Sequence, residues 1–319
     1  MHLVMLALIA VTIIVAVIAA FVYLAPETAT HLAIRAERYR SGLVRKEISL
    51  PDGLQYVYLE GGQGEPLMLL HGFGADKDNF TRVARFLTPH YRVVIPDHIG
   101  FGESAHPQEA DYAPPAQIER LRALAQALGM GTLHLGGSSM GGQISMTYAA
   151  LYPAEVKSLW LLGPAGVWSA PQSEYWKIIA ETGHNPLLAR NEGEFAQIFS
   201  FVMNAPPFIP RPMLDVMAQA RIKNFALEQR ILKQIEGYSV EERITGIKTQ
   251  TLVVFGDKDR AIHVATAEVL HKLIPHSQVI IMPNIGHMPM IERPKQSASD
   301  YLQFREHIEV QHSDSRLYS

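Results

Sequence analysis

The chain has 319 residues, 48% of them hydrophobic, enough for one large α/β domain or two smaller ones around a sizeable core. A formal net charge of −3 offers no basic surface, so no nucleic-acid partner is expected. The absence of cysteine excludes thiolate catalysis and disulfides, and the histidines are scattered without ligand spacing, so neither a metal nor another cofactor is expected.

From Leu3 to Leu24 no residue is charged. Twenty-two helical residues rise about 33 Å, enough for a bilayer core of roughly 30 Å. A core helix is rarely apolar all round. A signal peptide wants a basic start and a shorter apolar run of about 7–15 residues. Residues 3–24 therefore predict a retained, single-pass transmembrane helix. Tyr23 falls at the interface level, and Ala16 with Ala20 forms a small-xxx-small pair suited to helix association. Residues 25–44 predict a juxtamembrane amphipathic helix in which Leu32, Ile34 and Tyr39 alternate with Arg35, Arg38 and Arg40. Those arginines either meet lipid phosphates or solvate a plain linking helix. Because they follow the span, the positive-inside rule puts the main domain in the cytoplasm.

Residues 46–50 and 54–60 read as strands around a Pro51-Asp52-Gly53 turn. Gly61-Gly62-Gln63-Gly64 resembles a phosphate loop, but a strand follows it rather than a helix, so it reads as a plain loop. Leu67 to Leu70 is a fully apolar strand ending in His71-Gly72-Phe73-Gly74. A helix over 79–87 and a strand over 91–95 follow, the latter running into the glycine-punctuated loop 96–104. Residues 114–128 carry a helical period, with Gly129 as its C-cap signal.

The stretch from Leu133 to Gly142 organises the rest. An apolar strand ends in Gly137-Ser138-Ser139-Met140-Gly141, a G-x-S-x-G pattern, and a helix over 143–152 follows. Such a strand-to-helix turn pushes the middle serine out at the carboxyl end of a sheet. Another buried strand spans 156–162. Alternating apolar strands and helices predict an α/β fold, a mainly parallel sheet with helices on both faces and the site at the strands' carboxyl ends.

The pattern changes over 164–248, which carry no convincing strand but many large apolar groups, with Pro206, Pro207, Pro210 and Pro212 breaking helices midway. This segment reads as a helical cap inserted into a sheet domain made of 45–163 and 249–312. It would pack its own small core and roof the site. The sheet resumes at 251–255, followed by Gly256-Asp257-Lys258-Asp259. A helix over 263–273, a strand over 278–282, the loop carrying Gly286-His287 and a helix over 295–310 complete it. The tail from His312 is expected to be loose.

A serine hydroxyl needs a histidine to take its proton and an acid to hold that histidine in the right tautomer. Ser139, Asp259 and His287 stand in the order that a nucleophile elbow demands, each at a strand end. Asp257 is the rival acid. Asp259 is preferred because it lies further past the strand, leaving Asp257 as a turn residue. The backbone N–H groups of Met140 and Phe73 are the expected oxyanion donors. Trp168, Phe199 and Phe208 from the cap, with Met288 beside His287, are the expected substrate-binding residues. His134 reads as structural, and Glu292 reads equally as a support for the histidine loop or a solvated surface group.

Together, H-G-F-G from His71, D-x-x-G-F-G-x-S from Asp97, G-S-S-M-G around Ser139, G-x-x-D ending at Asp259 and G-H-x-x-x-x-E-R-P from Gly286 resemble the α/β-hydrolase superfamily over about residues 46–310. The G-S-S-M-G-G-Q segment, the uncharged span and W-L-L-G-P-A-G-V from Trp160 are similar to its membrane-anchored lipases and phospholipases. These include the pseudomonad single-span phospholipase A type, the Moraxella-type lipases and the mammalian membrane-anchored monoacylglycerol lipase type. The resemblance implies hydrolysis of fatty-acyl esters in glycerolipids. For the pseudomonad type it also implies an inner-membrane anchor among membrane lipids, a homodimer through that anchor region and a domain facing the periplasm, against the charge rule. Ile99 departs from the proline or arginine many relatives carry there and is expected to alter substrate contacts. A small-molecule carboxylesterase or carbon–carbon bond hydrolase is the alternative reading, and a lipid-binding pseudoenzyme a weaker one.

Overall fold

A hairpin begins the sheet, because Gly53 in its left-handed turn lets β1 (Leu43–Ser49) fold back on β2 (Gln55–Gly61) with Ile48 opposite Tyr56. The computed structural model describes residues 2–317. The remaining strands are β3 (Glu65–Leu70), β4 (Tyr91–Pro96), β5 (Leu133–Ser138), β6 (Val156–Leu162), β7 (Gln250–Gly256) and β8 (Ser277–Met282). Their order is β1-β2-β4-β3-β5-β6-β7-β8, antiparallel for the first two pairings and parallel for the rest.

Strands β3 to β7 are buried on both faces, as their unbroken apolar runs require, while the edge strand β8 leaves Val279 and Ile281 exposed. Along β3, Met68 and Leu70 join one core cluster while Leu67 and Leu69 join the other. On the first face, helices Pro114–Ala127 and Met140–Leu151 contribute Ile118, Leu121, Ile144 and Tyr148. On the second, helix Pro294–Leu317 contributes Tyr301 and Phe304, with Tyr301 stacked on Trp160 at 4.7 Å between ring centroids. His134 sits beneath this stack, its Nε2 2.7 Å from Glu65 Oε2 and its Nδ1 2.8 Å from Ser158 Oγ. Burial lowers its pKa to about 4, so it is a neutral, fully partnered core histidine.

Several elements differ from the sequence reading: the helix expected over 25–44 ends at Arg40, with β1 already starting at Leu43, and the helix expected from 263 starts at Thr266. The helix expected over 79–87 is a 3₁₀ turn at Lys77–Phe80 and one α turn at Thr81–Ala84. The nucleophile helix starts at Met140, not 143. The last helix continues to Leu317, so the loose tail expected from His312 is helical there; Tyr318 and Ser319 lie outside the described residues. Between β6 and β7 stand helices Glu174–Thr182, Glu192–Val202, Arg211–Lys223, Phe225–Glu236 and Glu241–Ile244, with no strand among the described residues. The proline cluster acts as expected. One helix stops at Val202 and the next restarts at Arg211, with Pro212 in its first turn, where a missing N–H costs nothing.

None of the apolar window of helix His2–Leu24 is buried, and the helix is long and apolar enough to cross a bilayer. Helix Pro26–Arg40 follows and lies against the domain, burying Ala29 and Thr30. Arg38 does not face lipid. Its guanidinium forks onto Asp78 at 2.7 and 2.6 Å, while Arg40 lies 3.4 Å from Glu37 and Arg35 is exposed.

Candidate active site

The strand order reverses between β3 and β5: the chain leaves β3 for β4 on one side and then crosses to β5 on the other. Open α/β sheets hold ligands in the crevice beyond the carboxyl ends of two such strands. Here those ends are the His71–Gly74 loop and Ser139, with Leu70 paired to Gly137.

Ser139 has φ 53 and ψ −117, a conformation that costs a non-glycine residue about 1–3 kcal/mol. Its neighbours over-determine it. Its N–H donates to Leu162 O at 3.0 Å, and its carbonyl accepts from the N–H groups of Gln143 (3.0 Å) and Ala165 (3.1 Å). A β-carbon at Gly141 would lie 2.0 Å from Leu70 O, so the helix crosses β3 in direct backbone contact. This explains the early helix start: only glycines at 141 and 142 let the chain coil so near the sheet. Met140 opens the helix, so its N–H has no intrahelical acceptor.

Asp259 lies past the end of β7 and holds His287. Its Oδ2 is 2.7 Å from His287 Nδ1, and its Oδ1 accepts the N–H groups of Ala261 and Ile262, both at 2.9 Å. Both side chains are almost wholly buried, at 0% and 5% exposure. With Nδ1–H given to the carboxylate, Nε2 carries the lone pair that a general base needs. Asp257, the rival, accepts the Asn284 N–H at 2.6 Å and pairs with Lys258, the turn role its sequence position suggested. The pair and the serine share a floor: Gly163 follows Leu162, the acceptor of the Ser139 N–H, and a β-carbon there would lie 3.0 Å from His287 Nδ1 and 3.1 Å from Asp259 Oδ2.

The loop bearing Phe73 is fixed by His71. The His98 N–H donates to His71 Nε2 at 3.0 Å, so the ring's proton sits on Nδ1 and donates to Gly72 O at 2.8 Å. In a trans peptide the N–H points opposite the carbonyl. Holding Gly72 O back against the imidazole therefore turns the Phe73 N–H the other way. Burial pushes the His71 pKa down to about 3, so this tautomer persists at any physiological pH.

Phe73, Ser139 and Met140 open onto a cavity of about 340 Å³. Its walls are mainly apolar, with Trp168, Trp176, Leu187, Leu232 and Ile235 from the inserted segment and Ile262 from the core. Its polar groups include Gln143, Ser173 and Glu236. Of the four side chains expected to bind substrate, only Trp168 lines this cavity. Phe199, on helix Glu192–Val202, packs against the core of the sheet domain and that of the inserted helices, Met288 lies in the core, and Phe208 is 91% exposed at the proline-rich turn. Ile99 is also in the core and does not line the cavity. Hydrophobicity marks burial without saying whether the partner is protein or ligand, and that explains these departures.

Two residues gain importance that their sequence positions understated. Glu292 is 9% exposed, and its carboxylate accepts the N–H groups of Gly286 (2.8 Å), Asn204 (3.0 Å) and Ala205 (2.8 Å), tying the histidine loop to the inserted segment. Arg221 reaches from the insertion to Gly74 O at 2.8 Å; an arginine inside a polar helix carries no sequence signal for such a contact.

The model of the α/β-hydrolase fold family matches residues 65–294, most of the chain. The chain belongs to the α/β-hydrolase fold family. Within that family it is 47% identical over 290 residues to lipase 1 of Psychrobacter immobilis, covering 88% of this chain and 90% of the relative. Monoacylglycerol lipase ABHD6 of Rattus norvegicus is 28% identical over 76% of each chain. A solved membrane phospholipase A, described as a novel bacterial virulence factor, superposes with a TM-score of 0.86 at 38% identity, covering 95% of this chain and 98% of that one. That α/β-hydrolase matches the chain over almost its whole length, beyond the bounds of the family model.

Proposed function

We propose that this chain is a membrane-anchored serine ester hydrolase that releases fatty acids from glycerolipids. The observation that carries it is Ser139, held in a strained turn in the wall of an apolar cavity, with its N–H on Leu162 O and a buried Asp259–His287 pair against the next residue, Gly163. The enzyme class rests on relatives named as lipases, at 47% identity for two of them.

Ser139 Oγ attacks the acyl carbonyl carbon while His287 Nε2 takes its proton. The carbonyl oxygen, now negative, is received by the N–H groups of Phe73 and Met140, the latter at a helix amino terminus whose dipole favours the charge. The intermediate collapses: the ester C–O bond breaks, and His287 returns the proton to the departing glycerolipid hydroxyl. Water then attacks the acyl-enzyme by the same route, releasing the fatty acid and restoring Ser139. Asp259 keeps His287 in its tautomer and offsets the imidazolium charge. The inserted helices act as a cap whose walls take the acyl chain.

Helix His2–Leu24 is proposed as a retained span of the inner membrane, with helix Pro26–Arg40 bridging it to the enzyme. Resemblance to the pseudomonad type supports a periplasmic domain and a homodimer through the anchor helices, where Ala16 and Ala20 lie on the exposed span. Accessibility of an engineered cysteine in intact cells tests the side.

A fluorophosphonate probe tests the main claim. It should form one covalent adduct, at Ser139, and block release of fatty acid from lysophospholipid, monoacylglycerol and phospholipid vesicles. Full activity in Ser139→Ala sinks the proposal, and the ranking of those three substrates identifies the lipid class.

A further inference from the structure

Arg221 belongs to helix Arg211–Lys223 of the inserted segment, yet its side chain ends at the loop that follows β3. The guanidinium is 11% exposed and forks three ways. Nε–H donates to Glu228 Oε2 at 2.7 Å, one terminal nitrogen donates to Gly74 O at 2.8 Å, and the other donates to Leu187 O at 2.6 Å. Its carbon stands 5.6 Å from the centroid of the Phe73 ring, within cation–π range. Gly74 is moulded to this contact: its φ is +66, and a β-carbon there would lie 2.2 Å from the Arg221 carbon. Glu228 is itself 4% exposed, so the guanidinium is held as a buried pair rather than as a surface contact.

The consequence lies one residue back along the chain. Gly72 O, in the peptide that carries the Phe73 N–H, accepts from both His71 Nδ1 and the Ala75 N–H (3.3 Å), and Arg221 fixes the carbonyl of the Gly74–Ala75 peptide that supplies the second donor, so the Phe73 N–H is held from two different parts of the molecule. His71 pins from within the sheet domain. Arg221 pins from the inserted helices, where it also fixes Leu187, a wall of the cavity, and Glu228 on the next helix. Only arginine has planar donors for three acceptors in three directions.

We infer that Arg221 is a positioning residue for the oxyanion donor at Phe73, so that the placement of the inserted helices sets the turnover rate at Ser139. This rests on the proposed ester-hydrolase reading. With Arg221 in place, the Phe73 N–H meets the oxygen that becomes negative in the transition state. Without it, the Gly74–Ala75 peptide keeps only its 3.3 Å bond to Gly72 O and the donor loses its aim, while the cavity walls other than Leu187 keep their packing and hold the acyl chain.

The test uses the full-length protein in detergent micelles with p-nitrophenyl butyrate, each rate being divided by the serine titrated to completion with a fluorophosphonate. Complete loss of an oxyanion donor costs about 10²–10³ in kcat, so a misaimed one in Arg221→Met should cost about 10–100-fold with KM within about twofold. Affinity for an alkyl boronic acid, whose tetrahedral adduct places an oxygen in the same position, should fall by a similar factor. Affinity for a saturated fatty acid should not change. Arg221→Lys, with one point donor in place of a fork, should recover part of the loss. Glu228→Gln should show a smaller loss of the same kind. If Arg221→Met does not fold, the same readouts are taken on the other two variants. Unchanged kcat per titrated serine with unchanged boronate affinity overturns the inference, even where the melting temperature falls. A wild type that neither labels nor turns over removes the parent reading, and this inference with it.

Discussion

Ser139 and Asp259 carry the sharpest expectations at the scale of single residues. Asp259→Asn keeps the size of the side chain but lets His287 adopt the wrong tautomer, and kcat should fall about 10³–10⁴-fold. Asp257→Asn, two residues away, loosens only the turn at Asn284 and should leave kcat within about threefold; steady-state assays on p-nitrophenyl butyrate decide between them. The buried histidines set the acid limit of stability. His134 and His71 are neutral in the fold, with pKa values of about 4 and about 3. The unfolded chain protonates both near pH 6.5, so the stability each contributes is complete above that pH. It is lost as pH falls from about 6.5 towards the folded values, at up to about 1.4 kcal/mol per pH unit per histidine. Urea unfolding at pH 7.5 and pH 5.5 should show this slope, reduced in His134→Gln. Glu65 acts in the same sense at lower pH. Its hydrogen bond from His134 holds its pKa down to about 2, so that contribution disappears as pH falls through the range from 4.5 to 2.

At the scale of elements, the site is made by loops that three neighbours fix in common. The His287 loop takes its shape from Glu292, whose carboxylate serves three backbone N–H groups on two segments. Glu292→Ala leaves those donors without a partner in a buried position and should cost about 2–4 kcal/mol in chemical denaturation. The same variant should lose activity before it unfolds, because Val202 O, the acceptor of the His287 N–H, moves with the inserted segment. Gly141→Ala attacks the other side of the site. Its methyl group meets Leu70 O at 2.0 Å, so the helix must leave the sheet. A loss of about 3 kcal/mol is expected, together with most fluorophosphonate labelling, since Ser139 moves with the helix.

At the scale of the whole molecule, helix Pro26–Arg40 and the hydrolase domain are joined by polar contacts rather than by a loose tether. Arg38 binds Asp78, which lies beside Lys77; the Lys77 ammonium is buried between Asp97 and Glu103, at 2.8 Å from each. Asp97 also accepts the N–H of Lys77 and of Glu103, so helix Pro26–Arg40 abuts the network that orders the loop carrying His98, the partner of His71. Removing residues 2–24 while keeping helix Pro26–Arg40 should give a protein that turns over p-nitrophenyl butyrate within about threefold of the full chain. Its rate on phospholipid vesicles should drop by tenfold or more if, as proposed, the span supplies local concentration at the lipid surface rather than chemistry. Equal vesicle rates with and without the span count against the anchoring proposal. Arg38→Ala, by contrast, should lower the melting temperature without releasing the protein from membranes.

The sequence by itself determined the sheet, its inserted helices, the elbow at Ser139 and the order in which an acid and a histidine follow it. Each of these is written in local terms: apolar periodicity, glycines where the backbone must pass close, and residues placed just past strand ends. The sequence preferred Asp259 to Asp257 by position, but only the tertiary structure set its carboxylate 2.7 Å from His287, left Trp168 alone of four candidate side chains in the cavity wall, and turned Arg38 to Asp78. It also brought Arg221 to Gly74 across 147 residues of chain. Such contacts depend on directions set by the packing of distant segments. A hydrophobic or charged side chain specifies only the kind of partner it needs, and the fold decides which partner is there.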